Sequence, residues 1–186
     1  MINNPNGITN HPVVSHDEWL SARKAFLAEE KASILKGKRL SVMNTQDYHK
    51  SITTTVSAEE AFQKISSPST WWTANIKGSA KNLNDVFTMW VGERTTVTLQ
   101  VVEVVPHKKW VWLVTDCQLL WLKDTTEWKN TQIVFEISEE KHQTSIDMTH
   151  VGIVPGVECY NVCEDAWNGH LNNLAVWLET GISPLT

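Results

Sequence analysis

VECYNVCEDAWNGHLNNLAVWLETG, residues 157–181, decides the fold, because it is the longest run in the chain that reads as one helix with one buried face. Cys163, Trp167, Leu171, Leu174 and Leu178 recur at spacings of three and four, which places them along a single helical stripe. The residues before it form short segments rich in Val, Ile, Thr and Trp, spaced like consecutive strands of an antiparallel sheet. A lone sheet exposes one apolar face, and the helix is the element available to cover it. The expected architecture is α+β: a curved antiparallel sheet of about six strands wrapped around the C-terminal helix, with room for a cavity between them.

Working outward, Val154-Pro155-Gly156 breaks the chain ahead of the helix. Thr144 to Val151 and Thr131 to Ser138 read as strands, as do Trp110 to Gln118, Arg94 to Val105, Asp85 to Val91 and Ile76 to Ala80. The segment KSITTTV, Lys50 to Val56, is the first strand. Ser57 and Glu60 then form a capping box that opens the helix AEEAFQKI, and Pro68 starts a second short helix that carries Trp71 and Trp72. This domain spans residues 49–182, with 183–186 as a tail.

Residues 1–48 read as an extension. Met1 to Asn10 is a polar tail; Ser15 and Glu18 then cap an amphipathic helix with Trp19, Ala22 and Phe26 on one side, ending near Gly37 ahead of a linker. An exposed apolar stripe must be covered, which predicts that this helix packs on its own domain or on a second copy, giving a homodimer.

Bulk properties exclude several classes. At 186 residues the chain suits one core, with about 70% of the unfolded surface buried. A net charge of −5 and scattered Lys and Arg argue against nucleic acid. No apolar run reaches membrane-spanning length. The odd set Cys117, Cys159 and Cys163, with no secretory leader ahead of it, predicts a reduced, cytoplasmic setting. Ten tryptophans are many for this length: they serve as core filler or as the floor of a cavity for an apolar ligand.

The segments SITTTVSAEEAFQKI, STWWTANIKGSA, VVEVVPHKKWVWLVTD, TEWKNTQIVFEIS and THVGIVPGVECYNVCEDAW, in this order, resemble the START-like (SRPBCC) helix-grip superfamily of the birch-pollen allergen and the polyketide cyclases. The nearest branch is that of bacterial proteins similar to the activator of Hsp90 ATPase homologue. The resemblance covers Lys50 to Gly181 and implies the fold; for function it implies carriers, cyclases or co-chaperone modules alike. HPVVSHDEWLSARKAFLAEEKA, residues 11–32, resembles the first helix of an uncharacterised thioredoxin-like bacterial family, but no Cys-x-x-Cys follows it and no redox chemistry carries over.

Strand parity nominates site residues. Ile146, Met148 and His150 share a face, as do Ile133, Phe135 and Ile137, and Val97, Leu99 and Val101. On the strand at 110–116, Trp110, Trp112, Val114 and Asp116 share one face, although both faces are largely apolar. An inward histidine or aspartate needs a partner or a ligand, since an unpaired buried polar group costs about 1–3 kcal/mol. The candidate ligand-binding set is therefore Trp90, Trp112, Asp116, Met148, His150, Cys163 and Trp167. The competing structural account satisfies His150 through backbone or Glu158 and lets Asp116 end a strand. Glu93 and Arg94 read as a solvated rim pair.

Cys159, Cys163 and His170 share a helix side, yet Cys-x-x-x-Cys without a second paired motif is a weak zinc signal, and no metal or other cofactor is expected. Neither a Gly-x-Ser-x-Gly motif nor a phosphate loop is present. The expected function is binding of a small hydrophobic molecule. The alternatives are a cyclase- or dehydratase-like enzyme using His150 and Asp116 as acid and base, or an Hsp90-activator-like interaction module.

Overall fold

The computed structural model describes residues 46–185. The tail, the helix expected over residues 15–36 and its dimerisation stripe lie outside the described residues. Element order is β1 (Tyr48–Thr54), α1 (Ala58–Ile65), a 3₁₀ turn (Pro68–Thr70), β2 (Ile76–Gly78), β3 (Val86–Val91), β4 (Thr95–Val105), β5 (Lys109–Leu119), β6 (Gln132–Glu140), β7 (Gln143–Val151) and α2 (Tyr160–Thr180).

The seven strands form one sheet in the order β1-β7-β6-β5-β4-β3-β2, and every neighbouring pair is antiparallel. Each of the segments read as strands from the sequence is present, the one expected over Ile76 to Ala80 as the three-residue β2 at the edge. From β2 to β7 the chain is a meander; only β1 crosses, to pair with β7, and α1 fills that crossover. Ser57 caps α1 by accepting a bond from the Glu60 N–H at 3.2 Å.

The face of α2 is as its spacing dictates: Cys163, Trp167, Leu171, Leu174 and Leu178 are all buried. Its last turn is closed from two sides. Gly181, at φ 68°, takes the left-handed conformation that lets its N–H reach the Trp177 carbonyl. The Lys64 ammonium donates to the Trp177 and Leu178 carbonyls at 3.1 Å each, placing a cation at the negative end of the helix. The first turn starts three residues later than the apolar run does and has no side-chain cap of its own. Glu127, from the loop between β5 and β6, supplies one: its carboxylate accepts from the Glu158 and Cys159 N–H groups at 2.8 and 2.9 Å.

Parity holds on three strands. Val97, Leu99 and Val101, Ile133, Phe135 and Ile137, and Ile146, Met148 and His150 all point into the core. On β5 it fails, because Leu99 pairs with Val114 while Thr98 pairs with Asp116, leaving Thr115 as an extra residue. This bulge moves every later side chain of β5 to the other face. Cys117 and Leu119 are consequently buried, and Asp116 is turned out.

Candidate functional site

The space between sheet and α2 is filled in one part and hollow in another. The filled part holds Trp71, Trp112, Phe135 and Trp167, all nearly inaccessible to solvent. Trp112 stands between Phe87 and Phe135 with ring centroids 5.2 Å from each, and Trp72 stacks on it at 6.2 Å. Trp110, at the α1 side, lies 4.5 Å from Phe62 and donates its indole N–H to the Phe62 carbonyl at 3.0 Å.

His150 lies in the filled part and is spent on structure. The Trp167 indole N–H donates to His150 Nδ1 at 3.0 Å, which fixes the ring proton on Nε2. Nε2–H then donates to Thr131 Oγ1 at 3.0 Å, and the Thr131 hydroxyl donates to the Trp128 carbonyl at 2.6 Å. Both ring nitrogens are used, and the chain ties α2 to β7 and to the segment entering β6. Burial pushes the His150 pKa down from 6.5 to about 3, so the ring is neutral at physiological pH. The partners are thus Trp167 and Thr131; Glu158 instead accepts from the Lys123 N–H at 3.0 Å.

The hollow part is a partly enclosed cavity of about 300 Å³ under the first half of α2. Met89 and Val91 of β3, Thr95 of β4 and Leu119 of β5 form its floor. Trp121 and Trp128, from the loop after β5, and Trp72 form its walls, and Val162, Cys163, Ala166 and His170 of α2 its roof. Two of the indoles are fixed in place by hydrogen bonds, one part-buried and one buried. Trp121 donates to Thr95 Oγ1 at 3.0 Å, and Trp128 to Cys159 Sγ at 3.3 Å.

Polar groups in this cavity are few. The imidazole of His170 packs against Trp72 and Trp167, at centroid distances of 6.2 and 5.8 Å, and makes no hydrogen bond to any described residue. Burial lowers its pKa from 6.5 to about 4. Among the described residues no lysine, arginine, aspartate or glutamate lines the cavity. The Cys159 thiol at its edge is held far above its ordinary pKa, first by contact with the Cys163 thiol and then by burial, so it stays protonated and is a poor nucleophile. Among the described residues no three His, Cys, Asp or Glu side chains gather into a metal-holding group. A larger concavity of about 530 Å³ is an open groove outside α1, with walls that include Glu59, Glu60, Gln63 and Lys64.

The residues nominated from sequence are thus divided. Cys163 lines the cavity. Trp112, Met148, His150 and Trp167 are brought together in the filled core beside it. Two expectations are corrected. Asp116 lies on the outer face because of the Thr115 bulge, with its side chain 66% exposed and 3.5 Å from Lys129 Nζ. Trp90 is 37% exposed and pairs with Thr96 on the outer side of β3, because Phe87 and Met89 take the inward positions of that strand.

His170 leaves a signal in the sequence, seven residues after Cys163, but that spacing points to a metal ligand rather than to a cavity wall. Leu119 lies one residue beyond the strand that the sequence delimits at Gln118, and β5 extends to include it. Trp121 and Trp128 sit in a loop where periodicity has nothing to say.

The family model for "Activator of Hsp90 ATPase homolog 1-like protein" matches residues 55–179. A search of curated proteins finds no match. Among solved structures, the Aha1 dimer from Colwellia psychrerythraea is 21% identical, with 73% of this chain and 97% of that one covered at a TM-score of 0.60. Protein SSP2350 from Staphylococcus saprophyticus is 15% identical over 76% of this chain and 98% of that one, with a TM-score of 0.58. Protein BH1534 from Bacillus halodurans is 16% identical over 72% and 96%, with a TM-score of 0.54. At these identities the likeness is one of fold, the helix-grip arrangement described above.

Proposed function

We propose a binding role for this chain, which belongs to the Activator of Hsp90 ATPase homolog 1-like family: it holds a small hydrophobic molecule in the cavity between the sheet and α2. The observation that carries this reading is the hollow itself. Apolar interiors close up wherever they can, and here about 300 Å³ stays open beside two hydrogen-bonded tryptophans, next to a core filled by Trp71, Trp112, Phe135 and Trp167. The acid–base alternative is poorly served, because His150 has both nitrogens engaged and Asp116 faces away from the cavity.

Native mass spectrometry of the freshly purified chain, set against its denatured mass, is the direct test. An added mass that disappears on denaturation is expected for the wild type and is lost in Leu119→Trp, which fills the floor. The same adduct on both proteins would place the ligand elsewhere and sink this reading.

A second reading concerns assembly, favoured by the neighbouring Colwellia structure being that of a dimer. This chain self-associates through the segment at residues 15–36, where the sequence spacing of Trp19 and Phe26 predicts an apolar stripe. Phe26→Asp in the full chain would then halve the mass measured in solution by light scattering, whereas an unchanged mass counts against the stripe.

A further inference from the structure

The cavity combines three features that together narrow what it accepts. Its walls include three indoles, those of Trp72, Trp121 and Trp128, large aromatic surfaces that favour aromatic partners. Among the described residues no charged side chain lines it, so a buried carboxylate or ammonium would find no counter-charge there. One imidazole, that of His170 in the roof, has no hydrogen-bond partner among the described residues.

Resting on the binding role above, we propose that the ligand is a neutral, largely aromatic molecule with a single hydroxyl-type group, and that this group is held by a ring nitrogen of His170. A neutral imidazole offers one donor and one acceptor, and a hydroxyl is likewise both, so the pair can bond in either sense whichever tautomer is present. Burial keeps the His170 ring unprotonated, which removes the one cation that could have balanced an acid. At about 30 Å³ per molecule of liquid water, the cavity of about 300 Å³ equals about ten water volumes, room enough for a two-ring aromatic alcohol. On the floor, Thr95 Oγ1 accepts from Trp121, and its own proton remains available to a second polar atom.

Three probes of one shape separate the components: 2-naphthol, naphthalene and 2-naphthoate, titrated calorimetrically into the full chain at neutral pH. The expected result is that 2-naphthol binds about tenfold tighter than naphthalene, the factor for one neutral hydrogen bond of ordinary net strength, and that 2-naphthoate is weakest. His170→Phe should keep naphthalene affinity within about twofold and erase the preference for 2-naphthol. Equal binding of 2-naphthol and naphthalene by the wild type, or a preference that survives His170→Phe, overturns the role of His170 and leaves the binding role standing. Tightest binding by 2-naphthoate overturns the neutral class. If none of the three binds, this inference falls, and the binding role is decided by the native-mass comparison alone. Should His170→Phe not fold, nitrogen-15 spectra of the wild type decide: 2-naphthol must move a His170 ring resonance far more than naphthalene does, and equal shifts overturn the assignment.

Discussion

The flank of α2 that meets β6 and β7 and the flank that meets β3, β4 and the end of β5 are made of the same materials, yet one is solid and the other hollow. Each has tryptophans, aliphatic neighbours and one histidine. The difference lies in where the indole N–H groups are tied. On the solid flank Trp167 donates across the interface to His150, pulling helix and sheet together. On the hollow flank Trp121 donates to the Thr95 hydroxyl and Trp128 to the buried Cys159 thiol, which hold both indoles beside the cavity. Indole N–H bonds thus close one space and frame the other. The histidines follow suit, with two partners for His150 and none among the described residues for His170.

The largest effect that tests this contrast is truncation of the bridging tryptophan. Trp167→Ala should cost about 3–5 kcal/mol in urea unfolding, from the cavity created and from His150 Nδ1 left without its donor. Trp121→Ala, at a half-buried rim position, should cost about 1 kcal/mol or less. Similar costs for the two would mean that the flanks do not differ in the way described.

Acid provides the next test. Both histidines are neutral in the fold with pKa values lowered to about 3 and about 4, against 6.5 when unfolded. Between pH 6.5 and about 4 the unfolded chain takes up protons that the folded chain refuses, so stability falls as pH falls. The slope is about 1.4 kcal/mol per pH unit for His150, or about 2 kcal/mol by pH 5, and smaller for the less enclosed His170. His170→Phe should therefore flatten the curve of urea midpoint against pH below 6.5 without abolishing the fall. Superimposable curves for variant and wild type would show that the His170 site is wet rather than dry.

How far the two flanks could be read in advance differs for a physical reason. The stripe from Cys163 to Leu178 and the inward sides of β4, β6 and β7 were legible because periods of 3.6 and 2 run uninterrupted there. Asp116 is turned out because a bulge changes parity without leaving a mark in residue type, and Leu119 lies past the end that the sequence gives this strand. The outward place of Trp90 follows from Phe87 and Met89, which claim the inward positions of β3. His150 was correctly turned inward, but whether such a ring meets a ligand or a threonine depends on contacts between residues 131, 150 and 167, which no local pattern encodes.

Filling the hollow should have a small effect on stability and a complete one on binding. Leu119→Trp adds atoms where space already exists, so the overpacking cost of about 1–3 kcal/mol seen in filled cores should be largely avoided. The same enlargement on the solid flank, Ile133→Trp, has no space to enter and should pay that cost in full. If Leu119→Trp unfolds as readily as Ile133→Trp, the hollow does not persist in solution.

The smallest effect is the sharpest test of the role given to hydrogen bonds. Trp112 is as buried as Trp167, but its indole N–H has no acceptor among the described residues. Replacing it by phenylalanine loses apolar surface and at the same time removes a buried donor that costs about 1–3 kcal/mol to leave unmade. The two terms oppose each other, and Trp112→Phe should change stability by about 1 kcal/mol or less. Trp167→Phe loses similar surface but also a bond that was made, and it strands His150 Nδ1 as an unpaired acceptor. It should be the more damaging of the two by about 2 kcal/mol in urea unfolding. Equal losses would mean that surface alone sets the strength of the solid flank, and the contrast between bridging and framing indoles would then have to rest on packing instead.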